Sequence, residues 1–232
     1  KLQHDTASGF DVATMTILAW ALADGQGEGG FGRIIQFAEA DTAPSPGFLH
    51  KNAANTLFFF YDFTTTDGEW TFPATDGQWN AAAVSYNRGA VGNVPVARVN
   101  FAAATVTTGT APVGTAVSPA TGYCVGNIST ATSTWDGALA HIQFFNVILT
   151  AAEMDMGLRR PGSVTRGRVL WLPMYHSGHT QDWSGNALNG TATALGTRDG
   201  PPCQPVVAGI FGWYGAYTAP IAAAGVTGPV FF

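Results

Sequence analysis

Charge is scarce in this sequence. Lys and Arg number 10 and Asp and Glu 15, so 11% of the 232 residues are charged, against roughly 25% in an ordinary globular domain. With a net charge of −5, the chain lacks the clustered Lys and Arg that a nucleic-acid groove needs. Arg159, Arg160, Arg166 and Arg168 lie near one another around Pro161-Gly162 and read as a solvated loop rather than an anion site. Cysteine is nearly absent: Cys124 and Cys203 are too few for a disulfide framework and have no zinc-site spacing. They read as two independent thiols, with pairing left open. Long apolar runs are missing too. No stretch approaches the ~20 unbroken apolar residues of a membrane helix, and the apolar tail after Pro205 is broken by Gly209, Gly212, Gly215 and Pro220; no membrane insertion is expected. The sequence opens on Lys1, without methionine or a signal-type apolar stretch, as expected of an amino end that is processed or truncated.

Aromatic residues at 12% and an apolar set at 46% are enough for a sizeable core. They are arranged in short alternating or β-branched runs between Gly, Pro, Asn and Asp clusters, which is strand patterning. Strands are expected at Met15 to Trp20, Arg33 to Phe37, Leu57 to Phe63, Trp70 to Phe72 and Trp79 to Tyr86. Val94 to Val106, Tyr123 to Gly126, Ala138 to Asn146 and Val169 to Leu172 continue the series, with a turn at Asp76-Gly77. One helix is expected. Thr150-Ala151-Ala152-Glu153 is a capping box, in which hydroxyl and carboxylate satisfy orphan backbone N–H groups, and Pro161-Gly162 ends the element. Many strands with one short helix specify an all-β, two-sheet antiparallel β-sandwich.

The stretch Trp135-Asp136-Gly137-Ala138-Leu139-Ala140-His141-Ile142-Gln143-Phe144-Phe145-Asn146, with the capped helix after it, resembles the late strand and helix of the concanavalin A-like lectin/glucanase superfamily, in its laminin-G-like branch. Met15 to Trp20, Gln78 to Tyr86 and Gly122 to Asn127 resemble three further strands in that family's order. Together they cover most of residues 12 to 160. Leu170 to Pro173, Asp182 to Asn186 and Asn189 to Thr191 resemble a segment that commonly opens such domains and here closes the pattern, as in jelly-roll domains of bacteriophage and environmental proteins. The resemblance implies a concanavalin A-like jelly roll over residues 1–205, circularly permuted, followed by an apolar arm or closing strands at 206–232. It implies glycan binding as well, and often calcium held by adjacent acidic residues in the late strand. Ala140 and His141 occupy those positions. Because Ca²⁺ takes six to eight oxygen ligands, no cofactor is expected, with calcium left as a possibility on other loops.

The superfamily's glucanases carry three alternating carboxylates on one strand, and two flanking the bond are the minimum for hydrolysis. Glu39 and Asp41 have the spacing, but Ala43 and Pro44 follow, and Glu153 and Asp155 belong to the helix. No enzyme activity is expected. Gly122-Tyr123-Cys124-Val125-Gly126 has the spacing of a nucleophile elbow, which works only at a strand-to-helix turn; a strand cysteine is the better reading. Gly25 to Gly30 matches a dinucleotide fingerprint, but a strand follows where a helix N-terminus is needed. His176, His179 and Asp182 could offer a metal three ligands, and a solvated loop is the simpler reading. Asp182 also suits capping of the turn at Ser184-Gly185.

Among the tryptophans, Trp79 falls where the family buries a core residue. Trp135 and Trp183 sit beside turns and are candidate platforms for sugar rings, with Asp182 the third candidate ligand residue. Residues 200–232 carry no charge, and Phe211, Trp213, Tyr214, Tyr217, Phe231 and Phe232 are candidates for assembly. An exposed apolar tail would be an aggregation liability in a monomer, so a homo-oligomer or larger assembly is expected. Two functions follow. One is a non-catalytic structural protein, such as a virion decoration, capsid-associated or fibre component. The other is a glycan-binding module or lectin at an extracellular or cell surface.

Overall fold

The computed structural model describes residues 1–4, 9–37, 47–50, 53–118, 122–128, 132–174, 180–193, 196 and 199–203. Among these, fourteen strands and one helix form. The first seven strands are β1 (Leu2–His4), β2 (Thr14–Ala23), β3 (Gly32–Gln36), β4 (Gly47–His50), β5 (Thr56–Tyr61), β6 (Gly68–Pro73) and β7 (Trp79–Asn87). They are followed by β8 (Val96–Val99), β9 (Ala102–Ala104), β10 (Thr107–Thr110), β11 (Tyr123–Val125) and β12 (Gly137–Phe145). Helix α1 (Ala151–Arg159), β13 (Arg168–Leu172) and β14 (Thr191–Ala192) complete the order. The strands make an eight-stranded sheet, β10-β6-β5-β4-β3-β11-β1-β14, and a six-stranded sheet, β13-β12-β2-β7-β8-β9. All the ladders are antiparallel.

The main core lies between the sheets. Leu57, Phe59, Tyr61, Trp70 and Phe72 meet Met15, Ile17, Val84, Tyr86, Ile142 and Phe144 there. A second core on the other face of the six-stranded sheet joins Leu18, Trp20, Ala81, Ala83 and Phe145 to Met154 and Leu158 of α1. β2 is therefore buried on both faces, which is why Ile17 to Ala23 reads as a continuous apolar run rather than an alternation. Each large side chain buried against the helix is worth about 1.5–3 kcal/mol. Trp20 adds a hydrogen bond from its indole N–H to the Leu158 carbonyl at 2.8 Å.

The capping box forms as the sequence specifies. The Glu153 N–H donates to the Thr150 hydroxyl at 3.2 Å, and the Thr150 N–H donates to the Glu153 carboxylate at 2.7 Å. The stretch Val94 to Val106 departs from expectation. It is two strands folded at Asn100 and Phe101, with φ of 50° and 68°, the double left-handed conformation of a type I′ hairpin turn. Phe101 is a poor turn residue by sequence, but its ring packs under the Arg159 guanidinium at 3.7 Å and edge-on to Trp20. The arginines are likewise not a simple solvated loop. Arg166 pairs with Glu153 at 2.9 Å, and Arg168 donates to the carbonyls of Gly162 and Val164.

β1 lies between β11 and β14. The Lys1 amino group donates to the Thr193 carbonyl at 2.8 Å, and the Thr193 N–H returns to the Lys1 carbonyl at 2.8 Å. Residues 1 and 193 are thus neighbours.

Candidate functional site

Residues 182–188 lie along the edge of β13, held by one carboxylate. Asp182 Oδ1 accepts the N–H groups of Trp171 at 2.9 Å and Ser184 at 2.8 Å. Its Oδ2 accepts the Leu188 N–H at 3.1 Å and the Ser184 hydroxyl at 2.6 Å. Asp182 is 9% exposed, so these donors would be unsatisfied without it. Its own N–H donates to the Asn189 side-chain oxygen. The turn-capping reading of Asp182 is the one the geometry shows, and its oxygens are occupied by the protein itself.

That clamp places Trp183 and Asn186. The Trp183 N–H donates to the Trp171 carbonyl at 2.8 Å, and the two indoles meet edge-to-face at 5.5 Å. Trp183 is half-buried. The Asn186 amide nitrogen is fixed to the Val169 carbonyl at 2.8 Å, which turns its amide oxygen to other uses. Around Asn186 opens a cleft of about 420 Å³, lined by Gly9, Asn146, Thr165, Gly167, Arg168, Val169, Asn186 and Leu188. That volume lies within the ~300–1,000 Å³ range of small-molecule sites. Val169 and Leu188 are buried, while Asn146, Thr165 and Asn186 are exposed. The cleft thus joins an apolar interior to a rim of amides and a hydroxyl. Gly167, at φ 67°, allows the close approach: a side chain there would strike Asn146 Oδ1 and Val147.

The sequence candidates divide. Trp135 is not an exposed platform. It is 7% exposed within the main core, and its indole N–H donates to the Leu22 carbonyl at 3.1 Å. Trp79, expected in the core, is half-buried against the second core, with its N–H on the Asp199 carbonyl. Glu39, Asp41, His176, His179 and all the assembly candidates from Phe211 to Phe232 lie outside the described residues. Cys124 is a buried residue of β11, and both cysteines are free. Gly25 to Gly30 ends in a short 3-10 turn and leads into β3, not into a helix.

The positions where the resemblance implies calcium do not suit it. Ala140 and His141 are buried, and His141 sits at φ 50° beside a bulge in β12. Burial drives its imidazole pKa down to about 3. Glu153 and Asp155 are committed to Arg166 and Arg98. Among the described residues no three His, Cys, Asp or Glu come together as a metal cluster, and no helix is long and apolar enough to cross a membrane.

The fold recurs in known structures. A Bacteroides ovatus protein described as carbohydrate-binding superposes with a TM-score of 0.56 and 14% identity, over 82% of this chain and 54% of its own. A heptameric SAP-like pentraxin from Limulus polyphemus gives 0.52 and 15%, over 72% and 79%. The fold is the concanavalin A-like jelly roll. This chain spans about half the length of the Bacteroides ovatus protein. No protein-family pattern and no curated protein matches it by sequence. The jelly roll's cleft beside β13 escaped the sequence reading because it is assembled from residues 9, 146, 165, 167, 168, 169, 186 and 188. Most of them are unremarkable where they stand in the chain, and nothing local in the sequence brings them together.

Proposed function

We propose that this jelly roll is a non-catalytic carbohydrate-binding module, and that the cleft beside β13 is its binding site. The observation that carries the reading is the cleft's composition: a buried apolar floor at Val169 and Leu188 with amide and hydroxyl groups at the rim. Sugar rings present the matching pair of surfaces, C–H faces and hydroxyls, and few precisely placed polar groups suffice to orient them. The carbohydrate-binding description of a structural neighbour supports it. Half-buried Trp183, on the segment that also carries Asn186, is a flanking aromatic contact. An extracellular or cell-surface location suits this function. The test is a glycan array with the full chain, repeated with Asn186→Ala; binding that is unaltered by the substitution removes the cleft from the account.

A second reading is a structural role in an assembly, such as a virion decoration or fibre component. It is supported by the 11% charge and the uncharged residues 200–232, and by Val91, Val94, Val96 and Val113, each at least 42% exposed. Light scattering on the purified chain tests it: a monomer at micromolar concentration rules it out.

A further inference from the structure

We infer that the cleft beside β13 takes an acidic saccharide and seats its carboxylate on the Nε–Nη2 edge of Arg168; this rests on the carbohydrate-binding reading of the same cleft. Arg168 is the one ionic residue of the lining. One end of its guanidinium is anchored. Nη1 donates to the Gly162 and Val164 carbonyls at 2.9 and 3.2 Å, and the group lies 5.1 Å from the Trp171 ring centre. None of those three residues lines the cleft. The other edge has no partner among the described residues: Nε is buried without a hydrogen bond, and Nη2 donates to no described group.

Two other arginines show what that edge takes in this chain. Arg98 Nε and Nη2 each meet Asp155 at 2.7 Å, and Arg166 presents the same pair to Glu153 at 3.1 and 2.9 Å. The fork matches the two oxygens of a carboxylate, and such charge-assisted bonds are about twice as strong as neutral ones. The arginines around Pro161-Gly162, read from the sequence as no anion site, therefore separate: Arg166 has its carboxylate, and Arg168 does not. Asp182 acts on Arg168 only through space. Its oxygens accept four hydrogen bonds, none of them from Arg168, and burial still holds the Arg168 pKa below the usual arginine value. A half-buried cation without a counterion is costly, and a carboxylate entering the cleft relieves that cost. With Nη1 already fixed, little side-chain freedom is lost when the fork is filled. The rest of the lining suits the sugar that carries the acid. The Asn146 amide and the Thr165 hydroxyl make no side-chain hydrogen bond with described residues, and both can donate and accept, as sugar hydroxyls do. The buried Val169 and Leu188 side chains meet the C–H face.

The experiment probes the full-length chain on an array of neutral, sialylated and uronate-bearing glycans. The best acidic binder is then titrated as its free acid and as its methyl ester, in calcium chloride and in EDTA. Esterification removes the charge and leaves the sugar ring unchanged. The expected result is a free acid that binds about tenfold or more tightly than its ester in both buffers, the equivalent of roughly 1.4 kcal/mol. Arg168→Lys keeps the charge but not the fork and narrows that ratio. Thr165→Glu sets a rival carboxylate in the lining and removes it. Circular dichroism melting shows whether each variant folds; Thr165 is exposed, so its variant decides the matter if Arg168→Lys does not fold. Binding confined to neutral glycans, equal binding of acid and ester, loss of binding in EDTA, or an undiminished ratio in a folded variant overturns the inference while leaving a carbohydrate-binding protein. No binding to any glycan in either buffer overturns both.

Discussion

Replacing Asp182 by alanine removes the acceptor that organises residues 182–188. Three backbone N–H groups, those of Trp171, Ser184 and Leu188, lose their partner together with the Ser184 hydroxyl. Stranding a buried donor costs about 1–3 kcal/mol. The vacated space is polar and near the surface, so water can replace part of the loss, which places the expected cost at about 3–5 kcal/mol. Against a total stability of about 5–15 kcal/mol, that is a large share. Asp182→Asn keeps one acceptor oxygen. Placed as Oδ1, it still serves the Trp171 and Ser184 N–H groups; the amide nitrogen then faces the Leu188 N–H, which loses its acceptor, and the Ser184 hydroxyl, which can accept from it while donating to the Val169 carbonyl, so this variant should lose about 1–3 kcal/mol. Urea unfolding followed by tryptophan fluorescence measures both, since Trp171 and Trp183 stand at the site. The order wild type, Asn, Ala is the signature of a structural acceptor. A ligand-contacting role would instead spare stability in both variants and abolish binding; a loss below about 1 kcal/mol in the alanine variant would refute the reasoning.

Three other outcomes are expected. His141, with its folded pKa driven by burial to about 3 from about 6.5 when unfolded, favours the folded chain only while neutral. Stability is therefore complete above about pH 6.5 and falls on acidification by up to about 1.4 kcal/mol per pH unit; a flat denaturation midpoint between about pH 6.5 and pH 5, before carboxylates titrate, would contradict this. Cys124 is buried, and burial pushes the Cys203 thiol up to about 12, so a thiol-specific chromogenic reagent should label the folded chain slowly and count two thiols after denaturation. Deleting residues 206–232 should leave a folded monomer if these residues are an arm that covers a neighbouring subunit, as read by gel filtration; an unfolded product would make them part of their own sandwich instead.

Much of the sandwich was legible because its long strands carry their own signals. β2, β7 and β12 are apolar runs bounded by turn residues, and the capping box at Thr150 is complete within four positions. β1, β4 and β14 were not anticipated. They are two to four residues long, and what makes them strands is the partner that each one meets, not their composition. The hairpin at Asn100-Phe101 was hidden for a related reason, since tertiary contacts from Arg159 and Trp20 override a residue poorly suited to the turn. Trp135 shows the opposite error. Nearness to a turn in sequence suggested exposure, whereas the ring reaches back across the sheet to Leu22. The Asp182 turn was readable because its signal is local; the cleft was not, because its lining comes from four separate segments.

The placement of β1 between β11 and β14 has a consequence for how this chain reaches its fold. Leu2 faces Val125 on one side and Ala192 on the other, so the eight-stranded sheet closes only when segments about 120 and 190 residues apart converge on three residues. No local structure prepays that loop closure, and ladders of such separation form late and slowly. Until they do, Leu2, Val125 and the β11 edge present unpaired backbone and apolar side chains to solvent. An aggregation-sensitive refolding phase should therefore track the docking of β1, and should be slowed by Leu2→Ala while the six-stranded sheet assembles at its usual rate.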